Sequence, residues 1–244
     1  MIQARVGSNG VYNTSTFIWH SGSVYGPWER IPLQIKPTPA GPNCTFYVSN
    51  PSPVIHADGR VVMAFESGWC NGLEVVAIAT APSWRGPYTL LTGAPALPEP
   101  LLCLSKAQYE DPCLWMTERG YHMLLHGMCP SGIFNAHYAF SLDAATWTLS
   151  EGQAYSYAVA FDDDKEELFA RMERPQILFT GEPNGAMHTS HNAVVDAGFR
   201  PYGSGVPAVL FNGVQPFSGK TLLGMSFTLA RSLATAATHA QTPL

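Results

Sequence analysis

The feature that most limits how this 244-residue chain can fold is an internal period of about 60 residues, carried by two markers at once. The first marker is a proline at the head of an apolar run. Asn50-Pro51 leads into Val54-Ile55, Asp111-Pro112 into Leu114-Trp115, and Arg174-Pro175 into Gln176 to Phe179. These prolines lie 61 and 63 residues apart, and in the first two copies a glycine (Gly59, Gly120) follows eight residues later. The second marker is an aromatic residue after a turn: Gly26-Pro27-Trp28, Gly86-Pro87-Tyr88 and Thr146-Trp147, spaced by 60 and 59. A complete unit reads as four short strands, two after the proline and two around the second turn. Four antiparallel strands per repeat describe one blade of a propeller. A β-sandwich of short strands offers no reason for two markers to run in step.

The expected fold is therefore all-β, a propeller present here as three and a half to four blades. A partial first blade covers residues 1–31, with whole blades at 46–92 and 107–150. A fourth occupies 170–230 and is stretched by an insertion at 181–205, so that Ile177-Leu178-Phe179 meets its partner only at Val209-Leu210-Phe211. Residues 1–231 form one domain on this reading, and residues 232–244 a frayed tail. The longer excursion 151–170 holds the acidic run Asp162 to Glu167, which reads as a solvated loop; it lacks the ligand alternation and glycine of an EF-hand loop.

Composition agrees with short strands and frequent reversals: 22 Gly and 20 Pro, 46% hydrophobic residues and only 13% charged. A net charge of −5 without a Lys/Arg cluster argues against nucleic acid as a partner. No apolar stretch approaches the roughly 18 residues that a membrane span requires. The five cysteines (Cys44, Cys70, Cys103, Cys113, Cys129) show no CxxC spacing, which argues against zinc. A Cys44–Cys70 bridge is one pairing among several. No cofactor is expected, a structural calcium ion being the one ion left open. Asn13-Thr14-Ser15 and Asn43-Cys44-Thr45 fit the glycosylation sequon and lean toward the secretory pathway, although Met1-Ile2-Gln3-Ala4-Arg5 is not a signal peptide.

Taken together and in order, several segments resemble the five-bladed β-propeller glycosidases, glycoside hydrolase family 43 and its arabinanase and invertase-like relatives. They are Asn50-Pro51-Ser52-Pro53, Glu110-Asp111-Pro112-Cys113-Leu114-Trp115, Arg119-Gly120-Tyr121-His122, His137 to Asp143, Glu173-Arg174-Pro175 and Leu210 to Val214. The resemblance spans residues 16–229. It implies hydrolysis of an O-glycosidic bond in an oligo- or polysaccharide, which needs a protonated acid for the leaving oxygen and a carboxylate across the sugar. It places Asp111 as the carboxylate that tunes the acid and holds the sugar, and Glu173, 62 residues on, as the general acid. Asp111 should stay ionised and raise Glu173 by like-charge repulsion.

Asn50, Arg174, Trp115 and His137 are the expected sugar contacts. Against this stand blander roles: a turn carboxylate for each acid, an ion pair for Arg174, and core packing for Trp115 and His137. Glu110 is read as a supporting or solvent-facing group, and His122 and His126 as inner-strand histidines rather than metal ligands. The resemblance also implies a first-blade aspartate as base or nucleophile, one blade before Asn50. No Asp precedes Asp58, so the chain reads as N-terminally truncated relative to that family, without the base or nucleophile that hydrolysis requires and therefore expected to be inactive as it stands. The alternative function is a carbohydrate-binding or scaffold propeller without turnover. The oligomeric state is left open by the sequence.

Overall fold

The structure, a computed structural model, describes residues 2–6, 12–37, 44–72, 74–91, 96–97, 109–127, 136–155, 158–160, 165–171, 174–178, 188–189, 208–216 and 227–232. Strands dominate throughout, and among the described residues the only helical element is a 3₁₀ turn at Cys70–Gly72. The chain is all-β and built from several sheets.

The first sheet has three antiparallel strands, β1 (Ile2–Val6), β2 (Tyr12–His20) and β3 (Glu29–Pro32). Sequence reading expected only the last two; β1 carries no proline or aromatic marker and was invisible to the repeat. After β4 (Ile35–Lys36) comes the second sheet: β5 (Ser49–Ile55), β6 (Val61–Gly68), β7 (Glu74–Ala81) and β8 (Tyr88–Leu90), antiparallel neighbours in chain order. β4 returns to pair in parallel with β8, covering an edge that would otherwise expose unpaired backbone groups. The third sheet repeats the pattern with β9 (Tyr109–Thr117), β10 (Gly120–Gly127), β11 (Ala136–Ser141) and β12 (Thr148–Leu149).

The last sheet holds β13 (Ala158–Ala160), β14 (Glu166–Arg171) and β15 (Pro175–Leu178). Beyond β16 (His188–Thr189) it is completed by β17 (Ala208–Pro216) and β18 (Phe227–Ser232). Ile177 pairs with Val209, as the stretched repeat requires. Two expectations change here. The acidic run is not wholly a loop, because Glu166 begins β14 and pairs with Ala160. A strand needs only backbone pairing, and the Glu166 side chain stays exposed. The described part of the 181–205 insertion, β16, does not stand clear of the sheets: it pairs with the Val54–Ile55 end of β5. The rest of that insertion, and residues 233–244, lie outside the described residues.

The second sheet is buried on both faces, which explains why Val61 to Phe65 reads as an unbroken apolar run. Alternate residues feed two cores. Val61, Met63, Phe65, Val75, Ala77 and Ala79 pack with Ile18 of the first sheet and Leu33 and Ile35 of the connector. Val62, Ala64, Val76 and Ile78 face Leu114, Tyr121, Met123, Leu125 and Ala139 of the third sheet. Each fully buried Val, Leu, Ile or Met contributes about 1.5–3 kcal/mol.

The marker turns are alike in their hydrogen bonding. Gly26 N–H donates to the Ser23 carbonyl at 3.0 Å and Gly86 N–H to Ser83 at 2.9 Å, both glycines at φ near +87°. In the third sheet Asp143 takes over the turn, accepting from the N–H groups of Ala145 and Thr146 at 2.8 and 2.7 Å. Cys44 and Cys70 form a disulfide that ties the segment before β5 to the end of β6. Cys113 is a buried free thiol, pushed up to about 12 by desolvation.

Candidate functional site

Each repeat proline follows a residue whose backbone is left-handed: Asn50 at φ 44°, Asp111 at 52° and Arg174 at 54°. A left-handed backbone is uncommon for a side chain other than glycine, and for arginine more than for Asn or Asp. On β5 and β9 the cause is a bulge. Ser49 and Ser52 lie opposite Glu66 and Ala64, and Glu110 and Cys113 opposite His126 and Leu124. Three steps on one strand thus match two on its neighbour. The extra residue turns its side chain out of the strand's alternation, as bulges beside functional sites often do.

The turned side chains converge. Asn50 Nδ2 donates to Asp111 Oδ1 at 2.6 Å, and the Arg174 backbone N–H donates to Asp111 Oδ2 at 3.1 Å. The Arg174 Nε stands 3.7 Å from Asp111 Oδ1 on a half-exposed guanidinium, whereas the Asp111 side chain is only 2% exposed. Three sheets therefore meet at one carboxylate. Burial, reinforced by the Glu110 charge, pushes Asp111 up to about 6 despite Arg174 and His126. It is still ionised at neutral pH, closer to its titration than an ordinary aspartate.

A second carboxyl group, unnoticed in the sequence, shares the same donor. Glu66 Oε2 accepts from Asn50 Nδ2 at 2.9 Å, and its Oε1 lies 3.3 Å from the Tyr47 hydroxyl, which is also 3.3 Å from Glu74 Oε1. Desolvation, then the charges of Glu110, Asp111 and Glu74, raise Glu66 to about 7. The signal was legible: a carboxylate ends the apolar run Val61 to Phe65, and a buried acid needs partners. Tyr47 reaches it because Gly68 leaves room. A Cβ on Gly68 would collide with the Thr45 carbonyl oxygen and lie 2.8 Å from the Tyr47 ring.

Glu110, the residue before Asp111, bonds His126 Nδ1 through its Oε1 at 2.8 Å. Nitrogen and oxygen atoms of Glu110, Asp111 and His126 come within 4.8 Å of one another, but the Nδ1 of His126 is engaged by Glu110. The group is a hydrogen-bonded acid–imidazole pair beside a carboxylate.

Trp115 stacks on His122 with ring centroids 5.2 Å apart, and His122 bonds Thr117 Oγ1 and the Tyr138 hydroxyl at 2.7 and 2.6 Å. His137 meets the edge of the buried Tyr109 ring, centroids 5.2 Å apart. Glu173 lies outside the described residues. Asn50 is present at the site, its amide nitrogen committed to two carboxyl groups.

No family model matches the chain, and no curated protein matches it. Among solved structures it is similar to a GH43 β-1,3-galactosidase at 13% sequence identity, with a TM-score of 0.32. That match covers 82% of this chain and 47% of the other, so the chain spans about half the length of the solved relative.

Proposed function

We propose that the chain is a glycoside hydrolase-like propeller protein that acts on the O-glycosidic bonds of an oligo- or polysaccharide through paired carboxyl groups. The observation that carries this reading is the convergence of Asn50, Asp111 and Arg174. Polar residues occupy the same left-handed place before three successive prolines, and all three meet at the Asp111 carboxylate. One polar residue from each blade is what a propeller needs to surround a sugar ring. In this reading Asp111 is the ionised carboxylate that orients the sugar and tunes the acid, Glu173 is the general acid, and the exposed Arg174 guanidinium meets sugar hydroxyls. Glycoside hydrolysis then proceeds by protonation of the leaving oxygen by Glu173 and addition of water at the anomeric carbon as a carboxylate base takes the water's proton. The first-blade aspartate that the resemblance implies for that base has no counterpart before Asp58.

A panel of aryl glycosides tests it. In a version of the protein that carries the first-blade aspartate, turnover of at least one sugar, lost by a hundredfold or more in Glu173→Gln with poor leaving groups and much less with activated ones, is the expected pattern. Equal loss on both leaving-group classes removes Glu173 from the acid role. The second reading, a carbohydrate-binding or scaffold propeller, is favoured by the near-complete burial of the Asp111 side chain, both of whose oxygens already accept hydrogen bonds. Sugar binding without turnover of any panel member selects that reading.

A further inference from the structure

We propose that Glu66 is a positioning residue for Asp111, carrying the proton of the pair and fixing, through Asn50, where the Asp111 carboxylate points. The inference starts from a positional equivalence. Glu66 lies opposite Ser49, the residue before the Asn50 bulge, and His126 lies opposite Glu110, the residue before the Asp111 bulge. The same rung of two successive sheets thus carries an acid in one and an imidazole in the other. In the third sheet the imidazole pairs with its neighbour Glu110. In the second sheet the neighbour is Ser49, and Glu66 turns to Asn50 and Tyr47 instead.

Hydrogen counting then assigns the proton. The Asn50 amide has two hydrogens, one for Glu66 and one for Asp111. The Tyr47 hydroxyl has one hydrogen and faces two carboxyl groups, Glu66 and Glu74. All these contacts are satisfied together when Tyr47 donates to Glu74 and accepts from a protonated Glu66. Glu66 is 7% exposed, so water cannot readily stand in for a missing partner. The other charges around the pair are Glu74 and Glu110 on the Glu66 side, and Glu110, Arg174 and His126 around Asp111. Among the described residues no cation is in hydrogen-bond contact with Glu66. Asp111 has the Arg174 backbone N–H and guanidinium beside it and ionises first. The ionised Asp111 then holds the proton on Glu66.

Carbon-13 NMR of the side-chain carboxyl groups tests this without any substrate. In the wild-type chain Glu66 should titrate near neutrality, and each carboxyl should respond to the titration of the other. In Asp111→Asn the Glu66 midpoint should fall by about one pH unit or more, because the like charge is gone. A Glu66 midpoint in the ordinary carboxyl range in the wild-type chain, or one unmoved by Asp111→Asn, overturns the proposal.

The kinetic arm rests on the hydrolase reading given above. There Glu66→Gln, which reproduces the donor and the acceptor of the protonated acid, should change the pH profile rather than KM, removing the loss of rate that accompanies Glu66 ionisation near neutrality. A Glu66→Gln profile identical to wild type overturns the positioning role. Absence of turnover in a version that carries the first-blade aspartate counts against the hydrolase reading alone, and the NMR result still decides the pairing.

Discussion

Burial of Glu66 and Asp111 gives the fold a pH dependence whose sign follows directly. Both groups are raised in the folded chain, Glu66 from 4.5 to about 7 and Asp111 from 3.8 to about 6. Across those windows the folded state binds more protons than the unfolded state, so stability falls as pH rises. The contribution is most favourable below the ordinary carboxyl range and is lost by neutrality. Replacing Glu66 with Gln removes its share. Glu66→Gln should match wild type near pH 4 and exceed it by about 2–3 kcal/mol at pH 8, an upper figure that lost hydrogen bonding reduces. Urea denaturation at the two pH values measures the difference. A variant that is less stable than wild type at pH 8 would show that the acid is better accommodated ionised than its burial implies. Glu66 also shows where the sequence reading stopped short. The repeat markers drew attention to the first strand of each unit, whereas Glu66 sits on the second, where only its position at the end of an apolar run sets it apart.

At the scale of elements, the proline marker corresponds to a backbone conformation rather than to a strand alone. Asn50, Asp111 and Arg174 share it despite three different side chains, so the motif was legible as a repeat while its geometry was not. A bulge adds one residue without changing the apolar pattern on either side of it, and nothing in Asn50-Pro51 or Asp111-Pro112 announces a positive φ. The aromatic marker was similarly exposed to substitution: the third copy keeps its turn through Asp143 and a left-handed Ala144 where the others use glycine. Arg174 offers a clean test of the shared conformation, because its N–H bond to Asp111 belongs to the backbone and survives any side chain except proline. Its ion pair, with the guanidinium side chain 56% exposed, contributes little to stability. Arg174→Gly should therefore be more stable than Arg174→Ala by about 1 kcal/mol, the usual difference at a left-handed site. Thermal or urea melts of the two variants provide the measurement, and alanine equalling or surpassing glycine would show that the backbone there is not left-handed in solution.

For the molecule as a whole, the period in the sequence foretold several antiparallel sheets, of which the third holds four strands, and the unbroken apolar run of the second records that it buries both faces. It did not foretell β1 or the return of β4 to the second sheet, which depend on backbone pairing at edges and leave little trace in side-chain pattern. Stacking has a consequence for energetics. Ile18 of the first sheet and Met123 of the third are both buried, but they belong to different cores with the whole second sheet between them. Packed sheets stand about 10 Å apart, so the two side chains, each in the layer on its own side of the second sheet, are about one such spacing from one another. Substitutions that far apart, with no shared partner, add to within about 0.5 kcal/mol. Ile18→Val should cost about 0.5–1.5 kcal/mol and Met123→Ala about 2–5 kcal/mol. The double variant should lose their sum. Denaturant unfolding of the four proteins in one buffer closes the cycle. A coupling beyond about 1 kcal/mol would mean that the residues share a core after all, and would break the face-to-face stacking on which the convergence at Asp111 depends.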